Sequence, residues 1–354
     1  NQDGTVRRDA QNNPIPTYNQ DTINNFAKVL TGWTYCNNPA NCPNASIGTL
    51  NYKDPLVLSP ANHDTTAKTL LNYPNAVNPT IPACVDCTTP DSTTTYATQS
   101  LNQALDNIFN HPNLPPFISR QLIQQLVTSD PSPAFVQRVA DVFVNNGQNI
   151  RGDLKAVIRA ILLDPEARGN VKTAPRYGKL REPVQVVTNL ARLFPAKSWD
   201  GQSLSDGGLS SSMIKMGQNP FYSPTVFNYY PPDFIVPGTT LNAPEFALLN
   251  TTSAISRTNF LYILIFEGIT PNITDSLRGT SLDLSEAVPF AEADPSGNQL
   301  LDYLNTKMMH GTLSPEHRNL ILTAVLAVPS NNPALRVKTA IYLFAASSQY
   351  QIQR

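Results

Sequence analysis

The sequence predicts a mainly α protein: an irregular multi-helix domain covering 1–354 and interrupted by two long loop insertions, about 35–95 and 195–242. Three observations carry that expectation. Apolar residues recur at three- and four-residue intervals over most of the chain outside those two stretches. Prolines, 31 in all, gather where helices should begin, so they mark starts rather than breaks. No period of 20 to 50 residues repeats, which argues against a solenoid.

Residues 1–20 carry turn chemistry (Asp3-Gly4, Asn12-Asn13-Pro14) and read as an extended entry or a hairpin. A helix follows from about Thr22, with Phe26, Val29, Leu30 and Trp33 on one face. The 35–95 insertion has no convincing period and holds all four cysteines, as expected of a binding loop or a small stapled subdomain. From about 96, stripes such as Leu101, Ala104, Leu105, Ile108 and Phe109, then Val136, Val139, Ala140 and Phe143, predict successive helices. Ser132-Pro133, Ser314-Pro315 and Asn332-Pro333 each place a capping side chain before a proline whose missing N–H costs nothing at the first helical position. Glu182-Pro183 opens a further helix. After the 195–242 insertion, helical patterning resumes near Ala243 and runs past Phe266, and two helices close the chain.

Only 14% of the residues are charged and the formal net charge is -1, which excludes binding to nucleic acid through a strong basic field. The longest apolar run, Phe260 to Phe266, is far shorter than a membrane span requires. Cys36 with Cys42 and Cys84 with Cys87 form two close pairs in polar loops. Local disulfides are favoured, because surface loops of this kind suit an oxidising compartment. A four-thiolate zinc site is the alternative, although the wider Cys36 to Cys42 spacing fits it poorly. The expected location is secreted, periplasmic or at the cell surface, and no cofactor is expected.

Phosphate-binding glycine loops, nucleophile elbows and the zinc-protease helix motif are all missing from the sequence. Four histidines remain. His111, in Asn110-His111-Pro112, is placed to cap terminal helix carbonyls, and His310 and His317 straddle a helix break. His63, Asp64 and Lys68 bring an imidazole, a carboxylate and an ammonium together in a charge-poor loop. If the protein is an enzyme, these three are its candidate catalytic residues; otherwise they tie the insertion to the helical body. Arg181 either fixes a helix angle by pairing with a carboxylate or grips an anionic ligand. The run 216–232 contributes Phe221, Tyr222, Phe227, Tyr229 and Tyr230 beside amides, the composition of a sugar-binding platform and also of a loop packed over a core.

Several segments carry a resemblance: Leu30-Thr31-Gly32-Trp33, His63-Asp64 with Lys68, Ala104 to Pro112, Phe117-Ile118-Ser119-Arg120, Leu154-Lys155 to Ala167, Arg181-Glu182-Pro183, Gly217 to Asn228, and Ser348 to Arg354. In this order they resemble the bacterial domain-of-unknown-function eighteen-hundred family. That resemblance implies a mostly helical fold and export from the cytoplasm, often beside a second exported protein. Members usually continue upstream through further helices, so the chain is expected to correspond to the carboxy-terminal part of a member. Either that amino-terminal segment as a partner or self-association should then cover two apolar surfaces, the Phe26 to Trp33 stripe and the Phe260 to Phe266 run.

A secreted or cell-surface interaction or structural protein, able to assemble into an extracellular layer or filament, is the leading functional expectation. A secreted polysaccharide hydrolase and a carbohydrate-binding module are the alternatives.

Overall fold

A computed structural model describes residues 1–46, 48–169, 174–274 and 276–354. It is mainly helical. In chain order the helices are α1 (Gln20–Leu30), α2 (Pro90–Phe109), α3 (Leu114–Leu126), α4 (Pro133–Val144), α5 (Leu154–Leu163), α6 (Pro165–Arg168), α7 (Pro183–Leu193), α8 (Ser210–Lys215), α9 (Thr251–Tyr262), α10 (Val288–Ala293), α11 (Asn298–Met309), α12 (Pro315–Leu326), α13 (Pro333–Ala346) and α14 (Ser348–Gln351). Strands are two residues long and pair only in antiparallel ladders. Among the described residues no helix is long and apolar enough to cross a membrane.

The chain forms two compact units, Asn1–Arg120 with Pro133–Ala160, and Gln121–Ser132 with Ile161–Arg354. In the first, α1 buries Val29 against Leu70, Ile81 and Ala104, so its stripe is partly covered within the unit while Leu30 stays exposed. The expected 35–95 insertion is irregular only as far as Thr89, because Thr89 caps α2 and Pro90 opens it, and two short ladders stiffen the irregular part: Trp33–Thr34 with Val57–Leu58, and Lys68–Thr69 with Thr80–Ile81. The end of α2 departs from expectation. Arg151, not His111, caps it, donating from Nε to Phe109 O (3.0 Å) and from NH2 to His111 O (3.2 Å). The His111 ring instead packs edge-on to Tyr73, and burial pushes its pKa down. Guanidinium reach explains the substitution, because Arg151 arrives from a distant segment that local spacing cannot reveal.

The second unit has the larger core, built from Val186, Leu190 and Phe194 of α7, Leu261 and Leu264, Leu300 and Leu304 of α11, and Val337, Ile341 and Phe344 of α13. Most of the Phe260 to Phe266 run is therefore core: Phe260, Leu261, Leu264 and Ile265 are buried, while Tyr262 and Ile263 stay exposed. It spans the end of α9 and a π-helical turn, Ile263–Glu267, closed by Gly268 at φ 77°. At that turn the Trp199 indole donates to Glu267 O (3.1 Å), and a Cβ on Gly268 would stand 2.9 Å from the indole, so only glycine fits. Ser314 and Asn332 cap α12 and α13 as their sequences predict, accepting from His317 N (3.3 Å) and Leu335 N (3.1 Å). Lys179–Leu180 pairs with Ile352–Gln353, and Ala196–Lys197 with Ser281–Leu282.

Candidate functional site

The strand Lys179–Leu180 leads straight into α7, and this junction sets the charged centre of the second unit. Pro183 takes the first helical position, leaving Glu182 at the N-cap with its carboxylate buried. Tyr230 OH donates to Glu182 Oε1 (2.8 Å) and Gln218 Nε2 to Glu182 Oε2 (2.5 Å). Gln218 reaches this point because Gly217 turns the chain at φ 90°, and its Oε1 accepts from Val184 N (2.9 Å), satisfying a free amide of the α7 first turn. Glu245 enters from the 3-10 turn Pro244–Leu248. Its Oε2 accepts from Ser129 Oγ (2.7 Å), whereas Oε1 has no hydrogen-bond partner. Lys179 Nζ lies between the carboxylates, 3.7 Å from Glu182 Oε1 and 3.8 Å from Glu245 Oε1, and donates to Gln125 O (3.0 Å).

Burial pushes the Glu245 carboxyl above the usual range, and the charge of Glu182 adds to the shift. Burial and the same charge push the Tyr230 hydroxyl up, so it stays protonated and donates. Gln124 completes the polar lining, with Nε2 donating to Asn242 Oδ1 (2.6 Å), Pro232 O (3.0 Å) and Ser129 O (3.1 Å).

Tyr230 is shared with a cavity of about 150 Å³ in the same unit, lined also by Gln121, Gln124, Gln125, Phe227 and Asn228. Amides around an aromatic face can hold a neutral polyhydroxyl compound or a peptide backbone. The loop beside it divides the aromatic run. Tyr230 is buried, Tyr229 is half-buried with its hydroxyl donating to Asn219 O, and Phe221, Tyr222, Val226 and Phe227 point to solvent. Phe221 is fully exposed and sits at φ 66°, a conformation costly for an aromatic residue.

Among the described residues Arg181 pairs with no carboxylate. NH1 donates to Tyr350 O (2.6 Å) and the guanidinium lies 4.2 Å from the centre of the Tyr350 ring, while its backbone N–H donates to Gln351 O (2.8 Å). It fastens the chain end to the start of α7. In the first unit, His63, Asp64 and Lys68 do come together. His63 Nδ1 bonds Thr31 O (2.8 Å) and its ring packs edge-on to Tyr96, whereas Nε2 is buried without a partner. Lys68 Nζ donates to Asp64 O (2.7 Å), Thr66 O (2.8 Å) and Tyr96 OH (3.1 Å). Burial acts to raise the Asp64 pKa, but hydrogen bonds from Thr66 and the Lys68 charge outweigh it and hold the carboxyl low. These contacts knit the insertion to the end of α1.

The cysteines form two disulfides, Cys36–Cys42 and Cys84–Cys87, with Cα separations of 6.0 and 5.8 Å. Such bonds fit a non-cytoplasmic, oxidising compartment. Among the described residues no group of three or more His, Cys, Asp and Glu side chains is arranged to hold a metal ion. Glu245 was not singled out by the sequence, since Asn-Ala-Pro-Glu-Phe matches no motif. A lone acid entering an apolar stretch is the one signal that could have marked it.

Fold and site together define a mainly helical, disulfide-bonded protein whose second unit holds a buried lysine–carboxylate cluster. The chain belongs to the family described as Protein of unknown function (DUF1800), which it matches over residues 6–352. No curated protein and no solved structure matches it.

Proposed function

We propose that the protein is a secreted or cell-surface interaction protein that assembles with copies of itself, and that its contact face is the aromatic loop 216–232. One observation carries this reading: Phe221, Tyr222, Val226 and Phe227 are exposed on a loop with no charged residue between Lys215 and Asp233. Covering each such side chain contributes about 1.5–3 kcal/mol, so several must be buried together to reach a micromolar contact. The net charge of -1 offers little long-range repulsion between copies. Light scattering across micromolar concentrations tests the reading: the wild-type chain should associate and a Phe221→Ser, Tyr222→Ser, Val226→Ser variant should be monomeric. A monomeric wild type overturns it.

The amide-lined cavity beside Phe227 and Tyr230 favours polysaccharide as a second partner. Retention on insoluble cellulose or chitin, lost on Phe227→Ala, is the expected outcome. A hydrolase has less support. Glu182 and Glu245 are sealed from solvent, and His63, Asp64 and Lys68 are engaged in holding the insertion.

A further inference from the structure

We propose that Lys179 and Glu245 become joined by an amide bond between Nζ and Cδ, formed by the folded chain itself with Glu182 as the proton acceptor. The three side chains meet from two places in the sequence, Lys179 with Glu182 and the distant Glu245, and all are nine-tenths buried or more: Lys179 is 2%, Glu182 6% and Glu245 1% exposed. Ion pairs between partly exposed side chains close to contact, at 2.8 Å for Lys197–Asp283, 2.6 Å for Lys307–Glu286 and 2.7 Å for Arg318–Asp302, whereas buried Lys68, its ammonium spent on carbonyls, stands 3.8 Å from Asp64. The most deeply buried one stays open, at 3.7 and 3.8 Å. An uncompensated buried charge is expensive, so an open geometry at this depth is a poor end state for an ion pair. It suits an amine beside an acyl carbon. Glu245 Oε1, the oxygen nearest the amine, makes no hydrogen bond that would hold it in place.

The chemistry balances within the cluster. Burial favours the neutral acid at Glu245, the form whose hydroxyl can depart as water, whereas a carboxylate resists attack by an amine. The Glu182 carboxylate takes a proton from the Lys179 ammonium, and the freed nitrogen lone pair attacks Glu245 Cδ. Glu182 then passes that proton to the departing hydroxyl and accepts the second nitrogen proton. The C–N bond forms, the C–O bond breaks, one water leaves, and Glu182 ends as the neutral acid. No oxidant or cofactor takes part. Exclusion of bulk water disfavours the reverse hydrolysis, and the product replaces two buried ionisable groups by one amide. The bond would fasten the strand Lys179–Leu180 to the turn Pro244–Leu248, closing a covalent ring around the 195–242 insertion and its aromatic loop.

Intact-mass measurement of the reduced wild-type protein tests this. The expected mass is about 18 Da below that of the sequence, the loss of one water, with tandem spectra placing a branched peptide at Lys179 and Glu245. Glu182→Gln should keep the full mass. Glu245→Gln should still close, losing ammonia, about 17 Da, and yielding the wild-type product. Lys179→Met should show no loss; should it fail to fold, Glu182→Gln and Glu245→Gln, both isosteric, still decide the matter. A wild-type protein that keeps its full mass after prolonged incubation overturns the proposal, as does a water loss mapped elsewhere or one that survives Lys179→Met.

Discussion

Lys68 is 1% exposed, yet its ammonium meets two carbonyls and a phenol and so is well satisfied. Methionine would fill much of the same space and take the lysine donor from Asp64 O, at about 1–3 kcal/mol for an orphaned group, while Thr66 O would keep the Tyr96 hydroxyl (3.3 Å). Lys68→Met should therefore lower the stability of the first unit by about 1–3 kcal/mol in denaturant unfolding. An unchanged midpoint would show that the ammonium is not holding the insertion. The sequence placed His63, Asp64 and Lys68 together because they are close along the chain. It could not show that their partners are mostly backbone oxygens, which carry no residue-type signal. Arg181 makes the same point from the other side: its partner Tyr350 is far along the chain, and no local pattern names it.

Among the elements, capped helices were the most legible, since a capping side chain followed by proline acts within a single turn. Ser314 and Asn332 do what their positions predict. The π-turn Ile263–Glu267 was not legible, because its apolar residues read equally well as an α-helix and only packing around Trp199 distinguishes them. The short ladder Ala196–Lys197 with Ser281–Leu282 adds a pH-dependent tie. A hydrogen bond from Lys197 Nζ (2.8 Å), helped by Ser285, holds the Asp283 carboxyl at about 2, below its ordinary value of 3.8. A depressed carboxylate pKa stabilises the fold above the unfolded value, and that contribution fades as pH falls through the folded one. Acid unfolding of the second unit should thus become less steep between about pH 4 and 2 in Asp283→Asn, by circular dichroism. Identical acid profiles would remove this role.

For the whole molecule, the mainly helical architecture and the two irregular stretches could be read from periodicity and its loss. The buried cluster was legible in part: Lys179 and Glu182 form a charged knot three residues apart at a helix start, but Gln125 and Glu245 join them only after folding. Both disulfides lie in the first unit, and each closes a short loop, a constraint contributing roughly 2 kcal/mol on the chain-entropy estimate. Reduction should raise amide hydrogen exchange across about residues 31–90 while leaving the second unit protected. Equal loosening of both units would contradict this.

The tryptophans fall one to each unit, Trp33 in the ladder with Leu58 and Trp199 over the π-turn. Nature has thereby given each half of the chain its own optical label. Trp199→Phe would leave fluorescence reporting on the cysteine-bearing unit alone, and Trp33→Phe on the unit that holds the lysine–carboxylate cluster. The melting of the two halves could then be followed separately in the same intact chain, with no dye attached.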